Sequence, residues 1–130
     1  MTSGGPILVV EDDPDLLSLV EMILVDAGYR VATAPEGRAA LARCAEELPA
    51  LVFLDMRMPG MNGWDFAREF RARHGRAVPI VVVTAAENAR ARAEEIGAEG
   101  WLAKPFDLED VLRAARHHAG APVDGPAASR

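Results

Sequence analysis

The stretch ILVVEDDPDLLSLVEMILVDAG, residues 7–28, joins a four-residue apolar run to a helical pattern through a short acidic turn. The run Ile7–Val10 has the continuous Val/Ile/Leu character of a strand that is buried on both faces of a parallel sheet. The segment from Pro14 to Ala27 carries apolar residues at helical spacing, and Gly28 follows its end. The stretch therefore predicts a strand followed by a helix, the repeating unit of an α/β fold.

The same succession of strand and helix recurs along the rest of the chain. Further strands are predicted at Leu51–Leu54 and Ile80–Val83, and weaker candidates lie at Arg30–Ala34 and Gly100–Ala103. Further helices are predicted at about residues 36–47, 64–73, 88–96 and 108–118. Five alternations with short connections predict one doubly wound, flavodoxin-like α/β domain over residues 5–119. Its five-stranded parallel sheet would have helices on both faces, and if its order is 2-1-3-4-5, one that doubly wound sheets adopt, the third strand lies between the first and the fourth.

Composition places the chain among ordinary soluble globular proteins, because half of its residues are apolar and 26% are charged. No apolar run approaches the ~20 residues that a bilayer span requires, so no membrane partner is expected. The opening residues lack the features of a signal peptide, which favours a cytoplasmic location. A net charge of −6 argues against direct binding of nucleic acid. Residues 120–130, rich in Gly, Pro, Ala and Ser, are predicted to form a disordered tail.

Polar or charged side chains stand at the ends of four predicted strands. They are Glu11, Asp12 and Asp13 after the first strand, Asp55 after the third, Thr84 after the fourth and Lys104 after the fifth. Lys104 is the only lysine among 14 basic residues. Ligands of open α/β sheets bind beyond the carboxyl ends of the strands, so these side chains are expected to converge at one edge.

This convergence of acidic side chains predicts a site for a divalent cation. Carboxylates that are forced together repel one another unless a cation compensates them. Magnesium takes oxygen ligands and binds through one or two carboxylates plus a substrate phosphate. A carboxylate beside such an ion can attack phosphorus and form an acyl phosphate. The ion and the ammonium of Lys104 would then neutralise the oxygens of the transferring group, and the hydroxyl of Thr84 would donate a hydrogen bond to them.

Four segments resemble the signatures of response-regulator receiver domains of two-component signalling, in family order and near family spacing. They are ILVVEDD (residues 7–13), DMRMPGMNG (55–63), VTA (83–85) and KPF (104–106). The resemblance extends over nearly the whole chain and points to a single-domain regulator of the chemotaxis type. It implies that Asp55 is the phosphoacceptor. It also implies that Asp12, Asp55 and the main-chain carbonyl of Arg57 hold Mg²⁺, with Glu11 completing the acidic pocket.

The same resemblance implies how the phosphoryl group is sensed. Thr84 binds it through its hydroxyl, and Lys104 binds it through its ammonium group. Pro105 follows a cis peptide bond that orients Lys104. Trp101 occupies the place of the switch aromatic, on the face formed by the fourth helix, the fifth strand and the fifth helix.

The resemblance further implies a histidine kinase or a histidine phosphotransfer protein as the phosphodonor. The chain would catalyse only its own phosphorylation and slow dephosphorylation, and would not be an enzyme acting on free substrates. About a dozen residues follow the fifth helix, too few for an effector domain. If the 130 residues are the full natural chain, output is expected through a separate effector protein that the sequence does not identify; a segment of a longer regulator would have the same sequence features.

The chain also departs from the family pattern. Thr84 and Lys104 are 20 positions apart, fewer than the family pattern, so the fourth helix or its connection is expected to be short. Tryptophan at position 101 replaces the commoner tyrosine or phenylalanine. Arg57 stands two residues after the acceptor, where its side chain could reach the phosphoryl group and alter its lifetime.

Two other functions compete with that of a receiver. A phosphatase or phosphotransferase of the haloacid-dehalogenase type requires a second aspartate two residues after its nucleophile, where this chain has Arg57. A degenerate receiver that serves as a constitutive protein-binding module is the remaining alternative, although every position that the phosphoryl chemistry needs is filled.

Asp13 is expected to cap the first helix. The three histidines, His74, His117 and His118, lack metal-ligand spacing and are expected to be solvated.

Overall fold

A computed structural model describes residues 4–122 of the chain. Within this range, strands and helices alternate as predicted. The elements are β1 (Ile7–Val10), α1 (Pro14–Asp26), β2 (Val31–Ala34), α2 (Gly37–Glu46), β3 (Leu51–Asp55), α3 (Gly63–His74), β4 (Ile80–Ala85), α4 (Ala89–Ile96), β5 (Gly100–Lys104) and α5 (Leu108–Ala119). Most of the segment predicted as a disordered tail, residues 123–130, lies outside the described residues.

The five strands form one parallel sheet in the order β2-β1-β3-β4-β5. Helices α2, α3 and α4 pack on one face of this sheet, and α1 and α5 pack on the other. The predicted flavodoxin-like, doubly wound architecture is therefore confirmed. Because all strands run the same way, their carboxyl ends share one edge of the sheet, which we call the carboxyl edge.

The central strands are apolar at every position because both of their faces are covered. All four residues of β1 are at most 2% exposed. Leu8 and Val10 pack against α2 and α3, whereas Ile7 and Val9 pack against α1 and α5. Burying one such side chain contributes about 1.5–3 kcal/mol to folding. The two cores fix the position of β1 and hence that of the acidic residues that follow it.

The helices are of modest length, and α1 is the longest of those described, with 13 residues. Asp13 caps it as expected, because its Oδ1 accepts hydrogen bonds from the amides of Asp15 (3.0 Å) and Leu16 (3.4 Å). This assigns the third acidic residue of the turn to the helix and leaves the other two for the carboxyl edge. Within residues 4–122, no helix is long and apolar enough to cross a membrane.

Three predicted boundaries differ from the structure in ways that affect the site. Strands β4 and β5 each continue one or two residues further, so that Thr84 pairs with Ala103 and Ala85 pairs with Lys104. The fourth helix begins at Ala89 rather than Asn88, because residues 86–88 form a 3₁₀ turn first. With eight residues, α4 is the shortest of the described helices.

Candidate functional site

The carboxylates of Glu11, Asp12 and Asp55 meet at the carboxyl edge. One oxygen from each lies within 4.8 Å of the others. The sheet produces this arrangement, because Val10 and Leu54 are partners in the β1–β3 ladder and the acidic residues come next. Glu11 and Asp55 are each 4% exposed, whereas Asp12 is exposed. The cluster is therefore open to solvent on the side of Asp12, from which a hydrated cation could enter.

Lys104 is the cation that lies beside this cluster. Its Nζ is 3.6 Å from Oε1 of Glu11 and 3.9 Å from Oδ1 of Asp55. The side chain is 34% exposed and reaches the cluster from the end of β5. The peptide bond between Lys104 and Pro105 is cis, as the family resemblance implied. One ammonium group cannot balance three carboxylates, so the donor set fits a hard divalent ion such as Mg²⁺.

The buried position of Asp55 among these carboxylates changes its pKa. Burial, followed by the charge of Glu11, raises the pKa of Asp55 to about 7. A hydrogen bond from the amide of Arg57 (3.1 Å) and the charge of Lys104 act in the opposite direction but are weaker. The ionised form of Asp55 is thus under-compensated within the protein. A bound cation would supply the missing positive charge.

The loop after Asp55 passes directly over the cluster. The amide of Arg57 contacts Asp55, and the Arg57 side chain is exposed. The loop returns at Gly63, whose amide donates to the carbonyl of Met56 at 3.1 Å. A Cβ atom at Gly63 would lie 2.6 Å from Sδ and 2.7 Å from Cα of Met56. Glycine is required here by space, and the start of α3 is consequently packed against the residue that follows the acceptor.

Thr84 and Trp101, the two predicted sensors, have different surroundings. Thr84 is 5% exposed and stands one position beyond Val83, the ladder partner of Asp55. Trp101 is 48% exposed, on the outer side of β5. It borders a hollow of about 610 Å³ between β5 and α5 that Arg113 also lines. Thr84 is thus buried at the end of the strand next to that of Asp55, whereas the indole of Trp101 lies at the protein surface.

One surface near the site was not anticipated. Leu19 and Met22 of α1 and Leu108 of α5 are 45–54% exposed. The three side chains surround a hollow of about 410 Å³ between the two helices, together with Phe106 from the β5–α5 connection. The sequence contains a signal for this surface, because α1 has apolar residues on more of its circumference than one buried stripe requires.

The histidines are less solvated than expected. His74 is half-buried, with its ring centroid 4.9 Å from that of Phe70. His118 is also half-buried, and its burial lowers its pKa. His117 is exposed, as expected. Among the described residues, the three do not form a group with metal-binding geometry, which Glu11, Asp12 and Asp55 do.

Comparisons with known proteins agree with the geometry. The profile of the response regulator receiver domain matches residues 7–116. The DNA-binding response regulator MtrA of Mycolicibacterium smegmatis is 37% identical over 123 residues, which are 93% of this chain and 53% of MtrA. The alkaline phosphatase synthesis transcriptional regulatory protein SphR of Synechococcus elongatus is 36% identical over 139 residues, covering 95% of this chain and 54% of SphR. The chain thus spans about half the length of these curated relatives.

A solved structure matches over almost its full length. The chemotaxis protein CheY4 of Vibrio cholerae superposes with a TM-score of 0.79 at 32% identity. The match covers 88% of this chain and 98% of CheY4. The similarity therefore extends over almost the whole of CheY4.

Proposed function

This chain belongs to the response regulator receiver domain family of two-component signalling, and we propose that it is a phosphorylation switch that accepts a phosphoryl group on Asp55. The observation that carries the proposal is the buried Asp55 carboxylate beside two further carboxylates and the single lysine. The phosphorylated form would signal through a changed face formed by α4, β5 and α5. A cytoplasmic location is part of the same proposal.

Mg²⁺ is the cofactor that this donor set would hold. Asp12, Asp55 and the main-chain carbonyl of Arg57 would bind it, and Glu11 would complete the acidic pocket. When bound, the ion would neutralise the repelling carboxylates and the oxygens of the incoming phosphoryl group. The support is the close approach of the three carboxylates and the raised pKa of Asp55.

The chain's own residues would carry the transfer. An oxygen of Asp55 forms a bond to phosphorus while the phosphorus–nitrogen bond of a phosphohistidine breaks, and the imidazole leaves with that electron pair. The ammonium of Lys104 and the hydroxyl of Thr84 would hold the transferred oxygens in place. The chain would catalyse only this step and its slow hydrolysis, and would turn over no free substrate.

Receiver domains of this family work with histidine kinases, and a kinase or a histidine phosphotransfer protein would be the donor. The exposed apolar side chains of Leu19, Met22 and Leu108 are the surface that we assign to this donor. They lie on α1, which begins after the acidic turn, and on α5, which begins four residues after Lys104. Asp26 and Asp107 line the same hollow, so a donor with an apolar face and basic flanking residues would fit.

The downstream partner is proposed to be a protein. The printed name of MtrA describes a DNA-binding regulator, but the present chain has a net charge of −6, which disfavours contact with a polyanion. We therefore assign no direct nucleic-acid contact to these residues. Any DNA contact in this pathway would be made by another polypeptide segment or by a partner.

Incubation with Mg²⁺ and acetyl phosphate, followed by intact-mass analysis, tests the phosphoacceptor. The wild type should gain one labile phosphate per chain, and Asp55→Asn should gain none because only a carboxylate can form the acyl phosphate. Asp13→Asn, which alters the helix cap and not the cluster, is the control. Full labelling of the Asp55→Asn variant would refute the assignment. Rapid consumption of many donor equivalents per chain, without a stable label, would indicate a phosphatase, and no labelling of the wild type would indicate a constitutive binding module.

A further inference from the structure

Helix α4 is held to the rest of the protein by few apolar contacts. It has eight residues, and Asn88 at its N-cap makes no side-chain capping hydrogen bond. Its buried residues are two alanines, Ala89 and Ala93, and Ile96 packs only partly against the core. Helices this short are marginal on their own. The position of α4 must therefore depend strongly on the polar contacts of its other side chains.

Three side chains form a closed set of contacts between α3 and α4, which we call the α3–α4 clasp. Nε1 of Trp64 donates a hydrogen bond to Oε1 of Glu95 at 2.8 Å. The guanidinium of Arg92 donates to Oε2 of the same carboxylate at 2.9 Å. It also lies over the indole, 5.7 Å from the ring centroid, within the range of a cation–π contact. Each member of the clasp thus contacts both of the others.

The clasp joins two segments that leave the phosphoryl site separately. Trp64 directly follows Gly63, which is packed against Met56, the residue after the acceptor. Helix α4 follows Thr84 after only Ala85 and the 3₁₀ turn. Any rearrangement that carries Thr84 and the turn toward a phosphoryl group on Asp55 would displace α4 relative to α3. The clasp opposes that displacement.

We propose that the α3–α4 clasp restrains α4 in the position of the unphosphorylated protein and opens when the phosphoryl group binds. This inference rests on the proposed function. An interaction made in only one of two states shifts the equilibrium toward that state, so its loss increases the apparent affinity of any ligand that prefers the other state. The clasp would therefore set how much phosphorylation is needed to move α4.

The test compares Glu95→Ala with Glu94→Ala in the full chain. Both substitutions remove one carboxylate from α4, but among residues 4–122 the Glu94 side chain pairs only with Arg90, one turn earlier on the same helix. Without ligand, hydrogen exchange of the α4 amides should be about three- to tenfold faster in the Glu95 variant than in the Glu94 variant. With Mg²⁺, beryllofluoride should bind the Glu95 variant more tightly by a similar factor.

A second variant, Trp64→Phe, keeps an aromatic ring beside Arg92 and removes the N–H donor together with the five-membered ring of the indole. It should change exchange and affinity in the same direction as Glu95→Ala. Equal α4 exchange in the Glu95 and Glu94 variants would overturn the restraint. Faster exchange with unchanged beryllofluoride affinity would overturn its coupling to the site. A wild type that binds no beryllofluoride would refute the proposed function and the coupling, while the exchange comparison, made without ligand, would still decide whether the clasp holds α4.

Discussion

Asp55 is a residue that opposes folding of the cation-free protein. Its pKa is about 7 in the folded chain, against an ordinary value of 3.8 for an aspartate, so the folded state binds more protons between these values. Stability is therefore lost as pH rises through this window, and the loss is complete above the folded pKa. When a chelator removes divalent cations, Asp55→Asn should raise the free energy of unfolding by about 1–3 kcal/mol near pH 8. The increase should be smaller near pH 5, where Asp55 is mostly protonated in the folded protein.

Urea denaturation at the two pH values measures this gain. Glu46→Gln, which removes an exposed carboxylate, controls for the loss of one negative charge and should give a change within about 0.5 kcal/mol. A destabilised Asp55→Asn variant near pH 8 would show that Lys104 and the Arg57 amide compensate Asp55 fully.

Lys104 is a second residue with a specific role, one that we expect arginine not to fill. Its Nζ approaches Glu11 and Asp55 as a compact charge, whereas arginine is a longer, planar fork. Lys104→Arg should therefore impair switching more than it impairs phosphorylation by acetyl phosphate. The emission change of Trp101 on addition of Mg²⁺ and beryllofluoride measures switching, with Trp64→Phe in both proteins so that only one indole reports. A full response of the Lys104→Arg variant at saturating beryllofluoride would contradict the expected coupling.

Individual residues were predictable from the sequence only where a strand end placed them. Glu11, Asp55 and Lys104 follow apolar runs, and parallel topology then brings them together. Their roles in phosphoryl chemistry stay predictions. The contact of Trp64 with Glu95 was not foreseen, because 31 positions separate them and no periodic pattern records which polar side chains of two helices meet.

Helix α1 presents the surface that we assign to the phosphodonor. Leu19 is 45% exposed and borders the hollow shared with α5, whereas Val25, 52% exposed on the same helix, does not line it. Leu19→Gln should lower the initial rate of phosphotransfer from a phosphorylated histidine kinase about tenfold, as expected for an apolar contact at the centre of an interface. Phosphorylation by acetyl phosphate should not change, because no protein docks. Equal kinase rates for Leu19→Gln and Val25→Gln would exclude this surface.

Elements are predictable where apolar periodicity is strong and less so elsewhere. The strands β1 and β3 agree with their apolar runs to within one residue. The start of the fourth helix is predicted at Asn88, but the chain first makes a 3₁₀ turn. Both helix types have similar local preferences, so the residues alone do not separate them.

The molecule as a whole should be stabilised by the cation that its acidic cluster fits. Few protein ligands are available, so Mg²⁺ alone should bind weakly. A ligand that binds only the folded state adds about 2.7 kcal/mol at a concentration 100 times its Kd. Tm should therefore rise with Mg²⁺ in the wild type and much less in Asp12→Ala. Calorimetric titration gives the affinities directly, and equal Mg²⁺ affinity in the Asp12→Ala variant would place the ion elsewhere.

For the whole molecule, the sequence predicts the alternation of strands and helices. The preference for right-handed crossovers then limits the ways in which these units can assemble. Alternation alone does not fix which strand becomes central. The order 2-1-3-4-5 is one of those that doubly wound sheets adopt, and the structure confirms it.

The two glycines of the loop after Asp55 imply different tolerances for anyone who diversifies this segment in a library. Gly60 has a φ of 70° and open space around its Cβ position, so asparagine, which accepts left-handed backbone, is a usable replacement. Gly63 has ordinary backbone but lies against main-chain atoms of Met56 that cannot move aside. Codons at position 60 can thus be varied toward asparagine, whereas position 63 should be kept fixed, since even alanine would push α3 away from the acceptor strand.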